Sequence, residues 1–368
     1  MACDGVPVAV PDCSCNPRVA MNACDAREVA ARWLEQGPLE TFAERGLIGA
    51  VVGGSLAPLA DDEPFSSAAS DIDVFLFVDT AILAINPATP HGVFTVSEGC
   101  LIQAVMVDAT VLDHEATLLG MLGLGCNLRY GRVLFDAEGT LERAREIVDQ
   151  RWAAPTWVAH RTSRAISFAR DAMARCVNAD SALGRLDALT DAVTQLAGVI
   201  AFAEGITPTH RRALVVARRQ LERLGRIDLF DRLLGLISTT SAEPATANAG
   251  IADAVVAVEI ELRYGDIAYD NTDESRCVMA ALVEGGLRQM VEAGAVAEVM
   301  LPIAASVVLS GLVVGDRRSR VDGATLDQLL GRRVEASGIV GDDAWHQRVR
   351  DLAAVGEHVF GLASTLTR

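Results

Sequence analysis

Between Val51 and Val78 two short apolar runs flank a glycine turn, and the second run carries its charge on one side only. The segment reads Val51-Val52-Gly53-Gly54-Ser55 and, after a loop, Ser70-Asp71-Ile72-Asp73-Val74-Phe75-Leu76-Phe77-Val78. Alternate residues of a strand share a face. Asp71 and Asp73 therefore point the same way, while Ile72 and Val74 point into a core. Two carboxylates side by side repel unless a cation sits between them. Hard oxygen ligands in small number suit Mg²⁺, which completes its shell with water and phosphate oxygens. Glycines leave backbone N–H groups open to a polyphosphate. An edge strand with solvated aspartates would also show Asp-x-Asp, but it would not need Gly-Gly-Ser upstream.

This order of motifs resembles the nucleotidyltransferase superfamily typified by DNA polymerase beta. The Ser-Asp-Ile-Asp-Val form is most similar to its small-molecule branch, the aminoglycoside nucleotidyltransferases of the kanamycin type. The resemblance implies an α+β fold, with a small mixed-sheet nucleotidyltransferase domain followed by an all-helical region (a bundle plus a further helical extension). It implies Mg²⁺ and an NTP co-substrate, ATP first. It makes Asp71 and Asp73 metal ligands, and gives Gly53, Gly54 and Ser55 the β and γ phosphates, through amides and the hydroxyl. Ser70 contacts the same phosphates or caps the strand. The third carboxylate usual in such sites falls at Gln103, which is neutral. Asp108 lies five positions further on, on the opposite pleat face. It becomes a ligand only through a bulge or register shift; otherwise the site works with two carboxylates. The loop from Ser55 to Asp71 is longer than usual and carries Asp61 and Asp62, an acidic rim.

The segment 156–177 repeats Arg161, Arg164, Phe168, Asp171 and Arg175 at helical spacing. If this helix faces the cleft, Arg164 binds triphosphate and Asp171 deprotonates the acceptor. A solvated face with pairs such as Asp171–Arg175 explains the same residues. Asp187 and Asp191 are alternative bases. Arg211 and Arg212 either reach phosphates or lie on a helix surface.

Composition narrows the partners. The 368 residues carry a net charge of −17, and all 32 basic residues are Arg. That excludes a broad nucleic-acid surface, and any phosphate clamp must use Arg, His or backbone amides. A small-molecule acceptor is expected, and the acidity is compatible with a cationic one. The concrete expectation is O-adenylylation of an aminoglycoside-like or other secondary metabolite. The alternatives are a biosynthetic transfer of CMP or AMP to a pathway intermediate and a degenerate transferase that only binds. A homodimer is compatible with the sequence. No signal peptide is seen, so a reducing cytoplasm is expected, with free thiols at all eight cysteines. The apolar stretch Val296 to Gly315 contains Glu298 and Pro302 and reads as a buried helix rather than a membrane span.

Along the chain, residues 1–25 read as a poorly ordered arm and 26–150 as the nucleotidyltransferase domain. The antiparallel strands 92–97 and 101–112 turn at Glu98-Gly99. Residues 151–238 read as a helical bundle, 238–250 as a linker, and 251–368 as a second helical region of unknown role.

Overall fold

The computed structural model describes residues 20–37, 39–40, 46–79, 93–238, 243–264, 273–314 and 323–367. Most of the expected arm lies outside them. Its last residues are ordered: β1 (Ala20–Asn22) leads directly into α1 (Ala23–Glu35). Asn22 starts that helix by accepting the Asp25 N–H at 2.8 Å, which satisfies a donor with no intrahelical partner.

Next come β2 (Leu47–Val52), β3 (Pro64–Ser66), β4 (Ile72–Val78), β5 (Val93–Ser97) and β6 (Cys100–Asp108). The short helices α2 (Glu115–Gly120) and α3 (Leu124–Tyr130), strand β7 (Arg132–Asp136) and α4 (Thr140–Arg151) complete the α+β half. A five-stranded mixed sheet has the order β5-β6-β4-β2-β7. β4 and β6 are parallel, and the other pairs are antiparallel. The β5–β6 hairpin turns at Glu98 (φ 50) and Gly99 (φ 74), the positive pair that a tight two-residue turn requires.

Strand period two divides this half into two cores. Ile72, Val74 and Leu76 pack on one sheet face with Ala26, Ala30 and Leu34 of α1. Phe77 packs on the other with Leu118, Leu128, Leu141 and Trp152. The long loop after the glycine turn is pinned to α1 by the buried Arg27. Arg27 donates to Asp61 Oδ1 at 2.6 Å and to the carbonyls of Leu56 at 3.0 Å and Leu59 at 2.5 Å. The acidic rim is therefore partly committed to a structural ion pair.

The helical half comprises α5 (Pro155–Asn178), α6 (Ala182–Ala203), α7 (Ala213–Arg223), α8 (Ile227–Ile237) and α9 (Pro244–Tyr264). It continues with α10 (Asp273–Glu292), α11 (Met300–Val314), α12 (Gly323–Ala336) and α13 (Asp342–Leu366). Helix α6 is apolar around most of its circumference, which marks a helix enclosed by others. It is long and apolar enough to cross a membrane, but 78% of the relevant window is buried inside the protein. Helix α11 belongs to the same core, and Glu298 just before it is buried and paired with Arg218 at 3.0 Å.

The linker-like stretch does not separate two cores. One continuous apolar core runs from Ala165 to Ala363, and α9 begins at Pro244 within the expected linker. Cys24, Cys100, Cys126 and Cys176 are free, but Cys277 is disulfide-bonded, which corrects the expectation of free thiols there. Cys3, Cys13 and Cys15 lie outside the described residues.

Candidate active site

Asp71 and Asp73 lie at the entry of β4, on the face that further along buries Phe77. Register places Gln103 of β6 directly beside Asp73. With its amide nitrogen turned toward the acids, Gln103 donates to Asp71 Oδ2 at 3.2 Å and to Asp73 Oδ1 at 3.1 Å. That orientation follows from the hydrogen-bond network. The position expected to hold a third carboxylate thus holds a donor that bridges the other two. Among the described residues no group of three or more His, Cys, Asp or Glu gathers.

Two amides of the glycine turn are used inside the protein. The Gly53 N–H donates to the Asp73 carbonyl at 2.9 Å, and the Gly54 N–H donates to Asn127 Oδ1 at 2.9 Å. Of the Gly53-Gly54-Ser55 turn expected to bind phosphate, the two glycine amides are engaged. Glycine is needed for space instead. Gly54 has φ +60, and a Cβ there would collide with the Asp73 carboxylate. The Ser55 and Ser70 hydroxyls hydrogen-bond each other, joining the turn to the entry of β4 and putting two hydroxyls at the mouth of the site.

Burial dominates the electrostatics. It pushes the Asp71 carboxyl above its ordinary value, against the pull of Arg211. Burial and then the neighbouring Asp71 charge push Asp73 up to about 7, again opposed by Arg211. Arg211 precedes α7 and donates to the Ala69 carbonyl. Burial lowers its pKa while Asp71 raises it. The helical half therefore supplies the counter-charge for the acids of the sheet half. Room for it comes from α10: a Cβ on Gly286 would collide with the Arg211 guanidinium, and one on Gly285 with the Ala68 carbonyl. The region past residue 251 thus borders the site, and α10 also packs Val278 and Leu282 on Leu101 of β6.

A cavity of about 520 Å³ opens from Gly54 between the two halves and is lined by Asn127, Phe168, Gln195, Phe202 and Thr207 among others. Its mostly apolar wall with a few polar groups suits a flat ring system. A second cavity, of about 500 Å³, lies between α6, α10 and α11. Thr194 lines both, and Arg211 lines the second.

Other expected site residues lie apart. Asp108 is at the far end of β6, opposite Val78, five strand positions from Gln103 and so roughly 16 Å along the strand. Its Oδ1 accepts from Thr110 N at 2.9 Å and Thr110 Oγ1 at 2.8 Å, so no bulge brings it to the acids. Asp171 is exposed and lines neither of the two cavities. Arg164 donates to the Gly120 carbonyl at 3.0 Å and lies 5.9 Å from the Phe168 ring centre. Arg161 is structural: it is buried over the Trp152 ring at 3.6 Å and donates to the Trp152 and Leu119 carbonyls. Asn127, Gly285 and Gly286 were not evident from sequence. The one signal was a Gly-Gly pair inside an otherwise helical pattern, which costs helix stability and calls for a packing reason.

No protein-family model and no curated protein matches the chain. A crystal structure of a nucleotidyltransferase-like protein from Exiguobacterium sibiricum 255-15 aligns over 83% of this chain and 90% of its own, at 13% identity and a TM-score of 0.33. A likeness that loose says nothing about chemistry, which has to be read from the site's own residues.

Proposed function

We propose that the chain is a nucleotidyltransferase that moves an NMP, AMP first, from an NTP to a hydroxyl of a small molecule. The observation that carries this reading is the desolvated pair Asp71–Asp73. It is set against a glycine turn with two hydroxyls, and Gly54 of that turn lines a cavity of about 520 Å³.

The donor set fits Mg²⁺. Two adjacent carboxylates, both raised by burial, gain from a divalent cation, and the missing Cβ at Gly54 keeps Asp73 in place. Asp71 and Asp73 would hold the ion, which when bound neutralises charge on phosphate oxygens. Arg211 is the nearby cation that can turn from the acids to the phosphates. The Ser55 and Ser70 hydroxyls can donate to phosphate oxygens, and Phe168 offers a ring surface to the base. The acceptor oxygen bonds to the α phosphorus as the bond to the leaving pyrophosphate breaks, and the acceptor proton passes to water.

Pyrophosphate release across the NTPs and a panel of acceptors tests this. Asp71→Asn and Asp73→Asn should each lower turnover by about 10³-fold or more without lowering the melting temperature. Asp171→Asn should leave the rate within about twofold. Full rate in the Asp73→Asn variant would end the proposal.

Gln103 supports a second reading, a protein that binds nucleotide without turning it over. Calorimetry separates the two: such a protein shows no difference between MgATP and Mg²⁺-free ATP, and no pyrophosphate appears with any acceptor.

A further inference from the structure

The second cavity has two unlike walls. Helix α6 contributes a polar stripe, with Asp187, Asp191 and Thr194 on successive turns. Facing it, α10 and α11 contribute apolar side chains, among them Leu309 and Leu312. These leucines are 53% and 50% exposed, although they belong to a helix otherwise sunk in the core. Exposed leucines opposite carboxylates are costly to leave in water on one side and costly to bury without a partner on the other.

The two acids differ. Asp191 is taken: it pairs with Arg175 and accepts from Gln195 at 3.0 Å. Asp187 makes no hydrogen bond among the described residues, and burial raises its carboxyl above the ordinary range. Its one cationic neighbour, Arg175, is paired with Asp191, so the Asp187 carboxylate can still take a cation from the cavity. Arg211, whose charge acts on Asp71 and Asp73, lines this cavity, and Thr194 lines both cavities.

We infer that this second cavity is the acceptor site, and that it takes a compact amphipathic molecule with an apolar body, one ammonium group for Asp187 and a hydroxyl directed toward Arg211. The inference rests on the nucleotidyl-transfer reading for the word acceptor, and on the cavity alone for the ligand class. A volume of about 500 Å³ suits a drug-sized molecule. A polyhydroxylated polycation fits poorly, because its hydroxyls would face the leucine wall without partners. A second protein surface fits poorly too, because an apolar patch laid over the cavity would bury Asp187 unpaired. The net charge of −17 favours arrival of a cation.

The test uses the full chain and three probes: phenylpropanolamine, its neutral counterpart phenylpropanediol, and kanamycin. Calorimetry is run with and without MgATP. Phenylpropanolamine should bind about tenfold more tightly than the diol and more tightly than kanamycin. Asp187→Asn should erase the preference for the amine over the diol, and Asp187→Glu should retain it. Leu309→Ser should weaken amine and diol alike, with the melting curve confirming that each variant is folded. Equal binding of amine and diol, tighter binding of kanamycin, or indifference to Asp187→Asn overturns the assignment. So does a dimer in sedimentation that Leu309→Arg dissociates. MgATP binding is scored separately. If it fails while the amine binds as described, the transfer reading falls and the amine site stands. If it succeeds while no amine binds, the acceptor class alone falls.

Discussion

Gln103 stands beside Asp73 on the neighbouring parallel strand, and its amide nitrogen lies 3.1 Å from Asp73 Oδ1 and 3.2 Å from Asp71 Oδ2. A neutral donor there holds two acids together in the absence of metal. Gln103→Glu replaces that donor with a third carboxylate among two already desolvated ones. Without Mg²⁺ the variant should melt about 4 °C lower than the parent. With millimolar Mg²⁺ it should regain the loss and show a larger metal-induced shift than the parent. Thermal melts with and without Mg²⁺ check this, and identical curves for the two proteins would contradict the placement of Gln103.

Asp73 also predicts a direction for stability against pH. Burial, then the Asp71 charge, raises its pKa from 3.8 to about 7. Between those values the folded chain binds a proton that the unfolded chain has released. The associated stability is therefore full at low pH and is lost as pH rises toward 7. Other buried acids, Glu261 and Asp187 among them, shift the same way. The informative quantity is the difference between the parent and Asp73→Asn. In chelator, the parent should lose about 3 °C more than the variant between about pH 5 and about pH 8. Parallel pH profiles would show that Asp73 is not desolvated.

At Gly54 two constraints act at once. The residue has φ 60, and the Asp73 carboxylate occupies the space a Cβ would take. Gly54→Ala should cost roughly 1–2 kcal/mol from backbone conformation alone. It should also displace the acid, so metal-dependent nucleotide binding should be lost even in the folded variant. Calorimetry with MgATP, on protein shown to be folded by circular dichroism, measures this. Undiminished binding would mean that the turn holds nothing in place.

What could be read from sequence was local and periodic. Strand alternation placed Ile72 and Val74 inward and set Asp71 and Asp73 together, and apolar spacing marked 156–177 and the regions 151–238 and 251–368 as helical. What escaped depends on contacts between distant parts of the chain. The Gly54 N–H finds Asn127, 73 residues away, so its engagement is invisible in the turn itself. Arg211 reaches Ala69 across 142 residues, and nothing in its own helix start separates it from Arg212. The stretch 238–250 reads as linker from its Ser, Thr and Ala. Yet Pro at a first helical position and a run of Ala also suit a helix start, and packing in the shared core decides for the helix.

Gly286 offers the sharpest check that α10 serves the site and not only the fold. On propensity, Gly→Ala inside a helix stabilises by about 1 kcal/mol. Gly331 in α12 has nothing within 4 Å of its missing Cβ, so Gly331→Ala should show that gain as a rise in melting temperature. At Gly286 the same change drives a methyl into the Arg211 guanidinium. The methyl would also stand 2.9 Å from the Ala69 carbonyl oxygen, but the guanidinium is the movable end of a long side chain, so the fold should survive with a small local shift while the charge moves off Asp71 and Asp73. Gly286→Ala should therefore melt no higher than the parent and turn over about tenfold more slowly. In an Arg211→Met background, already slow, adding Gly286→Ala should change the rate little, because the guanidinium it displaces is gone and only the close approach to the Ala69 carbonyl is left. If the two substitutions instead multiply, Gly286 acts by another route, and Arg211 is not the link between the helical half and the acids.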